Sequence, residues 1–247
     1  MSKIVDRTLD FLELFAKEKR PLALSEIAQL LNIPISSCHD VVQAMQSRGY
    51  LYEIAPRAGY YPTLRLHSLG KEIGDNDPVL MRTELLLRSL RDALDESVQL
   101  SRVNGLNASY LLVFEPSHPL RILVKVGDTI RSVYATSAGK ALLGSLDDKA
   151  LGAFLKSTRL APLTKKTIKS AASLRKDIEL GRERGWYLNR EESLNGVTTI
   201  SATFRWNAAI YIVTVAGPCS RLDPKLQTAA CLLTDVCRRL GSQVAAA

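Results

Sequence analysis

The 247-residue sequence has few of the residues on which metal sites, disulfides and membrane spans depend. It contains three histidines and four cysteines, and no two cysteines form a CxxC pair. The cysteines (Cys38, Cys219, Cys231 and Cys237) lie in apolar segments, where we expect small buried side chains instead of metal ligands or disulfides. No apolar run approaches the roughly 18 residues that a membrane-spanning helix needs. We therefore expect no metal site, no cofactor and no membrane partner.

The composition is equally poor in the signs of disorder or fibrous structure. Glycine and proline number 14 and 10, and 46% of the residues are hydrophobic against 23% charged. Such a chain can bury a substantial core, and its length suits one large domain or two of ordinary size. The N-terminal residues mix charged with apolar side chains instead of presenting a signal-peptide core, so a cytosolic protein is expected.

Positive charge is in excess, but it is unevenly distributed. The net charge is +8, which favours an anionic partner. Residues 1–74 hold nine Lys or Arg against eight Asp or Glu, whereas residues 75–247 hold 24 against 17. The densest basic run, residues 156–176, has seven cations and no acid, and it fits a solvated face better than a nucleic-acid site. Charge alone therefore does not identify the partner.

The N-terminal part begins with two segments whose residue patterns predict short helices. Over residues 4–17 the apolar positions step by four and three, which indicates an amphipathic helix. Ser25 is expected to cap a second helix over residues 26–31. The segment Asn32-Ile33-Pro34 is expected to end it.

A third helix and a hairpin follow. We expect Ser36 or Ser37 to cap this helix and Gly49 to end it. Residues 50–54 and 60–66 are rich in β-forming side chains and are separated by a segment with Pro and Gly, which indicates a hairpin. Three helices followed by a hairpin predict a winged helix-turn-helix. The alternative is a small helical domain with a hairpin and no such role.

The clearest boundary signal is Asp75-Asn76-Asp77-Pro78. We expect a winged helix-turn-helix DNA-binding domain over residues 1–66, a linker helix over 67–77 and a second domain over 78–247. Strands are expected in the second domain at residues 99–103, 109–114, 120–126, 197–204 and 208–215. Helices are expected there at residues 79–94, 138–146, 148–155, 170–184 and 223–240. Helices around an antiparallel sheet define an α+β domain.

Several segments then resemble one protein family. TSAGKALLGSL, LTKKTI, RERGWYLNREESLNGVTTIS and VAGPCSRL occur in the order and at the spacing of the IclR family of bacterial transcription regulators. NIPISSCHDVVQAMQSRGYL resembles the recognition-helix segment of that family. The resemblance covers nearly the whole chain. It implies a DNA-binding winged helix-turn-helix, a linker helix and an effector-binding domain of GAF/profilin-like fold, assembled as a homodimer or a dimer of dimers.

The chemistry of the third helix indicates how it would contact double-stranded operator DNA. Free N–H groups at its start, with the Ser36 and Ser37 hydroxyls, suit a phosphate. The Gln43 amide suits the edge of an adenine. Arg48 and the wing-tip Arg57 suit phosphates or the minor groove. The complete set of candidate DNA contacts is Ser36, Ser37, His39, Gln43, Arg48 and Arg57.

Asp40 departs from the family, where Arg is common at this position. Phosphates repel a carboxylate, so Asp40 either accepts from a cytosine amino group or pairs with a nearby cation. Together with the net charge of only +1 in residues 1–74, this predicts modest affinity for each monomer. Two or four linked domains would then supply the necessary avidity.

The loop before residues 138–146 suits an anion, because Ser137 is followed by the N–H groups of Ala138, Gly139 and Lys140 at a helix start. The resemblance places effector contacts at this loop and at three further positions, Asn189, Thr199 and Thr214. Thr199 and Thr214 lie on neighbouring predicted strands, so we expect their hydroxyls to meet over one pocket. The alternative is that these hydroxyls simply face water.

The expected effector is a small carboxylate with an apolar or aromatic body. That body is expected to pack on Ile122, Val124 and Val133, and Phe204 is expected nearby. The candidate effector-binding residues are therefore Ile122, Ser137, Ala138, Gly139, Asn189, Thr199 and Thr214.

Two short motifs raise an enzymatic alternative. Ser137 lies in a segment that imitates a nucleophile elbow, and Ser137 to Lys140 spells SxxK. All three histidines precede Ser137, against the order of a hydrolase triad, and the KTG and SDN elements of SxxK enzymes are absent. No GxGxxG or P-loop motif occurs. We therefore expect no catalytic residue. Two alternatives to a DNA-binding regulator remain: a hydrolase that uses the Ser137/Lys140 loop, and a metabolite sensor that acts only through protein partners.

The pair Glu191-Glu192 also needs an explanation, since paired carboxylates can serve acid–base chemistry. Adjacent residues on a strand point to opposite sides. At least one of the two is therefore expected on the surface or in a structural ion pair, with Arg190 or Lys140 as partner.

Overall fold

The computed structural model describes residues 3–56 and 58–242. The chain divides into two compact units, Met1–Asp77 and Pro78–Ala247, with the boundary in the sequence between Asp77 and Pro78. The wing-tip candidate Arg57 lies outside the described residues. Within the described ranges, no helix combines the length and hydropathy needed to cross a membrane.

The first unit contains the predicted helices and hairpin. In chain order its elements are α1 (Lys3–Glu18), α2 (Leu24–Leu30), α3 (Ile35–Ser47), β1 (Leu51–Glu53), β2 (Tyr60–Pro62) and α4 (Arg65–Asp75). The two strands pair antiparallel. One apolar core joins all three N-terminal helices to the hairpin, with Phe11, Leu22, Ile27 and Val42 almost completely buried. The helix-turn-helix prediction is therefore confirmed.

Both predicted serine caps are wrong. Helix α2 starts at Leu24, and the Glu26 carboxylate accepts from the Ala23 N–H at 2.8 Å. Helix α3 starts at Ile35 directly after Pro34, and no side chain caps it. Proline fixes a φ angle that suits the residue before a helix, so Pro34 ends one segment and also starts the next. Gly49 ends α3 as expected, with a φ of 74°.

The second strand of the hairpin is shorter than predicted and the following helix is longer. The hydroxyl of Thr63 donates to the Gly49 carbonyl at 2.6 Å and accepts from the Arg65 N–H at 3.2 Å. This side chain ties the end of the hairpin to the start of α4. Residues 64–66, which were predicted as strand, therefore belong to the helix and its first turn.

The second unit is an α+β domain, as predicted. Its elements are α5 (Pro78–Leu94), β3 (Ser97–Asn104), β4 (Asn107–Phe114), α6 (Ser137–Gly144), α7 (Asp148–Ser157), α8 (Ala171–Arg184), β5 (Tyr187–Arg190), β6 (Val197–Trp206), β7 (Ala209–Pro218), α9 (Cys219–Leu222) and α10 (Leu226–Ser242). The strands form one antiparallel sheet in the order β4-β3-β7-β6-β5.

The strand predicted at residues 120–126 is wrong, and β5 was not predicted. Leu120, Leu123 and Val126 are exposed, so the apolar character of this segment does not reflect burial in the sheet. The segment instead runs beside the sheet, where the Gly127 N–H donates to the Tyr110 carbonyl. Strand β5 is short and mixes polar with apolar residues, which hides it in the sequence.

The two faces of the sheet have different chemistry. The face covered by α5 and α10 is apolar and includes Val98, Leu100, Ile200, Val213 and Val215. The opposite face, which we call the α6 face, is apolar at one end but polar at the other. Its polar end comprises Ser97, Gln99 and Ser101 on β3, Thr214 on β7, Thr199 and Ser201 on β6, and Asn189 on β5.

Tyr187 fixes how closely the helices approach the α6 face. A Cβ atom added at Gly144 of α6 or Gly181 of α8 would overlap its ring. Burial raises the pKa of this Tyr187 phenol, which therefore stays neutral against the helices. Gly144 therefore lets α6, and Gly181 lets α8, pack closely against Tyr187 on β5.

The cysteine prediction is correct for two of the four. All four thiols are free; Cys38 and Cys237 are buried, whereas Cys219 is half-buried and Cys231 is exposed. Burial raises the pKa of the Cys38 thiol to about 11. Residues 3–56 and 58–242 contain no cluster of three or more side chains suited to hold a metal ion.

Candidate functional site

Helix α6 starts above the polar end of the α6 face. Thr136 is its N-cap, and the Thr136 hydroxyl accepts from the Gly139 N–H at 3.1 Å. The helix itself supplies no acceptor to the N–H groups of Ser137 and Ala138, because they belong to its first turn. Both residues are buried. Two N–H groups without a helical acceptor, at the positive end of a helix, form an arrangement suited to a carboxylate.

A chain of hydroxyl groups connects this helix start to the sheet. The Ser137 hydroxyl lies 2.6 Å from that of Thr199 and 2.8 Å from that of Ser201. The Ser201 hydroxyl in turn lies 2.8 Å from that of Thr214. Ser137, Ser201 and Thr214 are buried. The expected residues thus come together, but through a member that the prediction lacked.

Thr199 and Thr214 do not contact each other directly. They lie on neighbouring strands, yet the register pairs Thr199 with Ala216 and Thr214 with Ser201. A shift of two residues moves a side chain along the strand by about 7 Å, beyond hydrogen-bond reach. Ser201 therefore supplies the hydroxyl opposite Thr214. Its place two residues after Thr199, on the same strand face, is the sequence signal that could have revealed it.

Asn189 lies at the end of the same polar surface. Its Nδ2 donates to the Ser193 hydroxyl at 3.0 Å and to the Thr199 hydroxyl at 3.3 Å. Its Oδ1 accepts from the Glu192 N–H at 2.8 Å. Asn189 thus joins the hydroxyl chain to the loop after β5, and it brings no charge of its own.

The apolar candidates have different surroundings. The Ile122 carbonyl accepts from the buried Ser97 hydroxyl at 2.9 Å, which brings Ile122 beside the polar end of the α6 face. The Val133 backbone packs so tightly on Gly139 that no Cβ would fit there. Val124 is half-buried.

Phe204 does not lie near this site. It stacks on Tyr211 at 5.3 Å in the core beneath α5 and α10. Successive residues of a strand alternate between faces. An odd number of positions separates Phe204 from Ser201, which puts it on the other side of the sheet.

Lys140 forms a buried ion pair in the first half of α6. Its side chain is 0% exposed, and Nζ lies 2.6 Å from Glu192 Oε1 and 2.7 Å from Asp177 Oδ2. It also donates to the Leu188 carbonyl at 2.8 Å. Burial raises the pKa of the Glu192 carboxyl, and the charge of Lys140 opposes that rise. Lys140 is therefore fully committed to protein groups.

Glu191 and Glu192 have opposite surroundings, in agreement with the expectation that one of them is structural. Glu192 faces inward to Lys140. Glu191 faces outward, pairs with Lys166 and accepts from the Gly196 N–H at 2.9 Å, and these bonds hold the pKa of its carboxyl below the ordinary value.

In the first unit, α3 presents a polar surface opposite its buried stripe. The residues Cys38, Val41, Val42 and Met45 of this helix are buried. Ser36, His39, Asp40, Gln43 and Arg48 are exposed, and Ser37 is half-buried. Since no side chain caps α3, the N–H groups of its first turn are available to an external acceptor.

Two family models match this chain and together cover most of it. The IclR helix-turn-helix domain matches residues 4–54, and the C-terminal domain of the bacterial transcriptional regulator IclR matches residues 74–242. The chain belongs to the IclR family of bacterial transcriptional regulators. The family resemblance found in the sequence is therefore correct.

Characterised relatives of this IclR-type regulator are similar over nearly the whole chain. The HTH-type transcriptional repressor AllR of Escherichia coli K12 is 24% identical over 90% of this chain and 82% of its own length. The glycerol operon regulatory protein of Streptomyces griseus is 29% identical over 94% and 91%. The crystal structure of an IclR homologue from Microbacterium hydrocarbonoxydans, complexed with 4-hydroxybenzoate, superimposes with a TM-score of 0.79, covering 99% and 100% of the two chains at 18% identity. That likeness shows the fold.

The enzymatic interpretation of the Ser137 loop is not supported in this IclR-type protein. Its relatives are transcriptional regulators, not enzymes. In the loop itself, the Ser137 hydroxyl bonds to the hydroxyls of Thr199 and Ser201, and the Lys140 ammonium is held by two carboxylates. A lysine in such an ion pair cannot act as the base that an SxxK nucleophile requires.

Proposed function

We propose that this regulator binds double-stranded operator DNA in the cytoplasm through the polar surface of α3. The exposed Gln43 amide reads a base edge, while Arg48 and the first-turn N–H groups near Ser36 and Ser37 bind phosphates. His39 contributes a further contact from the same surface. Arg57 is assigned to the wing contact from its position in the sequence alone.

We also propose that a small carboxylate controls DNA binding from the α6 face. The observation that supports this is the buried hydroxyl chain from Ser137 to Thr214 beneath the N–H groups of Ser137 and Ala138. A carboxylate accepts several hydrogen bonds at once, and hydroxyl and N–H groups are able to donate to it. The ligand body then packs on Ile122, Val124 and Val133.

The local charge defines which groups bind the anion. Lys140 offers no free positive charge, because Glu192 and Asp177 already surround it. The helix start and the hydroxyls must therefore carry the recognition. Asn189 favours an anionic ligand by being neutral, since a carboxylate at that position would repel one. The 4-hydroxybenzoate found with the Microbacterium homologue makes aromatic acids a sensible first group of probes.

Control of DNA binding follows from linkage between the two sites. A ligand shifts operator affinity only when it binds the DNA-competent and DNA-incompetent states unequally. The low net charge of residues 1–74 leaves each monomer a weak binder. We therefore infer a homodimer or a dimer of dimers, in which linked domains share the operator. Exposed Ile4, Val5 and Leu9 on α1 are apolar surface that such an assembly would cover.

DNA binding is tested by fluorescence anisotropy with duplexes taken from beside the gene, at several salt concentrations. A phosphate-contacting protein gives a steep negative slope of log K against log salt. We expect Arg48→Ala to lower that slope by about one. A protein that ignores all such duplexes in dilute buffer is a sensor acting through protein partners, and the proposal is then wrong.

Effector binding is tested by thermal shift and calorimetry with two pairs of acids: benzoate with 4-hydroxybenzoate, and butanoate with 4-hydroxybutanoate. A ligand raises the melting temperature by mass action. Thr214→Val should weaken binding about tenfold by removing one hydrogen bond from the cluster. Thr83→Val is the matched control, because Thr83 is equally buried and its hydroxyl donates to the Leu80 carbonyl of its own helix, away from the cluster. Equal losses in both variants would contradict the assignment of the site.

A further inference from the structure

Two buried polar side chains on β3 lack a hydrogen-bond partner among the described residues. They are Gln99, through Nε2, and Ser101, through its hydroxyl. Gln99 is 3% exposed and Ser101 is 0% exposed, so bulk water does not satisfy them. Leaving a buried donor unpaired costs stability, and native proteins rarely keep such groups without a reason.

Their position continues the hydroxyl chain. Gln99 pairs in register with Thr214, and Thr214 pairs with Ser201. Side chains in direct register share a sheet face, with Cβ atoms about 5 Å apart. Gln99 is therefore the next position along the row that leads from Ser137 through Ser201 and Thr214.

Ser101 lies two residues farther along β3, on the same face as Gln99. It pairs in register with Ile212 on one side and Tyr110 on the other. Tyr110 is half-buried, and burial raises the pKa of its phenol. The unpaired groups of Gln99 and Ser101 thus lie at the border between the polar end of the α6 face and its apolar end.

We propose that Gln99 and Ser101 bind a second oxygen of the effector, a hydroxyl carried at the end opposite its carboxylate. This inference rests on the proposed function, because it takes the carboxylate to lie at the start of α6. A hydroxyl both donates and accepts, so it pairs with the Gln99 amide in either orientation and with the Ser101 hydroxyl.

The sheet geometry also limits the length of the effector. Strand β7 separates β3 from β6, so the strands that carry Gln99 and Ser201 lie about 10 Å apart. Long side chains shorten the gap that the ligand must span. A para-hydroxy aromatic acid, or an aliphatic acid with a terminal hydroxyl, matches this separation. An unsubstituted acid fills the carboxylate end and leaves Gln99 unpaired.

The first test measures the ligand-free protein. Gln99→Met keeps the length of the side chain and removes the unpaired amide. We expect its melting temperature to be at least that of the wild type, and up to about 2 °C higher, because a buried unsatisfied group is lost. Gln227→Met, at an exposed position of α10, is the matched control and should leave the melting temperature unchanged. A clearly lower melting temperature for Gln99→Met means that the amide is already paired, and overturns the inference.

The second test compares the two pairs of acids by calorimetry. The wild type should bind each hydroxylated acid about tenfold more tightly than its unsubstituted partner. Gln99→Met should lose this preference while keeping its affinity for the unsubstituted acid, and Ser101→Ala should reduce it. A purely structural role of Gln99 would change affinity for both members of a pair equally.

The outcomes separate this inference from the proposed function. Binding of unsubstituted acids without any preference for a hydroxyl overturns only the assignment of Gln99 and Ser101. A preference that survives in Gln99→Met does the same. If none of the four acids binds the wild type at millimolar concentration, the carboxylate site is wrong and the inference falls with it.

Discussion

The buried ion pair of Lys140 gives the sharpest test of how the effector-binding unit is stabilised. Replacing Lys140 with Met keeps much of the side-chain volume but removes the ammonium that faces Glu192 and Asp177. Breaking a buried pair by removing one partner costs about 3–5 kcal/mol, because a charge is left without compensation. Asp177 is partly exposed, so we expect a value near the lower end, about 3 kcal/mol at neutral pH.

The loss should depend on pH in a defined direction. Burial raises the pKa of Glu192, whereas Lys140 lowers it, so the variant should raise that pKa further. A carboxyl with a raised pKa in the folded state destabilises the protein as pH rises from the ordinary glutamate pKa through the raised one. The deficit of Lys140→Met should therefore be smallest at acidic pH and should grow as the pH rises.

Urea unfolding followed by tryptophan fluorescence measures the loss of stability in the second unit, which contains Lys140. Both tryptophans, Trp186 and Trp206, lie in the second unit. Lys166→Met is the matched control, since Lys166 is exposed and pairs made by exposed side chains contribute little. The reasoning is refuted if the two variants lose similar stability, or if the deficit of Lys140→Met grows on acidification.

Three further outcomes are expected. Gly139→Ala should lower the free energy of unfolding by about 1–3 kcal/mol and weaken effector binding, because the new Cβ overlaps the backbone of the preceding loop. Gly152→Ala should instead raise the free energy of unfolding by about 0.5–1 kcal/mol. Urea unfolding measures the stability of both variants, and calorimetry measures their effector binding. Glu96→Gln should lower the free energy of unfolding by about 3 kcal/mol, since this fully buried carboxylate pairs with both Arg221 and Lys225. The control Glu115→Gln, in an exposed ion pair, should leave the unfolding midpoint unchanged. Gln43→Ala should weaken operator binding by about 1–3 kcal/mol and relax the base preference at one position, which anisotropy with single-base operator variants measures.

Much of the architecture could be predicted from the sequence because it depends on local patterns. Apolar spacing identified α1, α3 and α10, and Pro and Gly marked the hairpin loop and the boundary before Pro78. The errors have physical causes as well. Pro34 occupies the N-cap position of α3 that was assigned to a serine. The apolar residues Leu120, Leu123 and Val126 are exposed outside the sheet, so their apolar character does not mark a strand.

The candidate site shows where local patterns stop being informative. The prediction from the sequence placed Ser137, Thr199 and Thr214 in one region. It did not include Ser201, through which Thr214 joins the cluster. The sequence also gave no reason to select Gln99, which is notable because its buried amide nitrogen lacks a hydrogen-bond partner among the described residues. A partner, or its absence, depends on residues that lie far apart in the chain.

The sequence by itself therefore determined the family, the two-part organisation and which residues alternate on each strand, since these follow from motifs and from periodicity along the chain. Only the tertiary structure decided which hydroxyls bond to each other, which glutamate pairs with Lys140 and on which face Phe204 lies. The reason is strand register. A pattern with a period of two assigns a residue to a face, but only the pairing of distant strands selects its neighbours on that face.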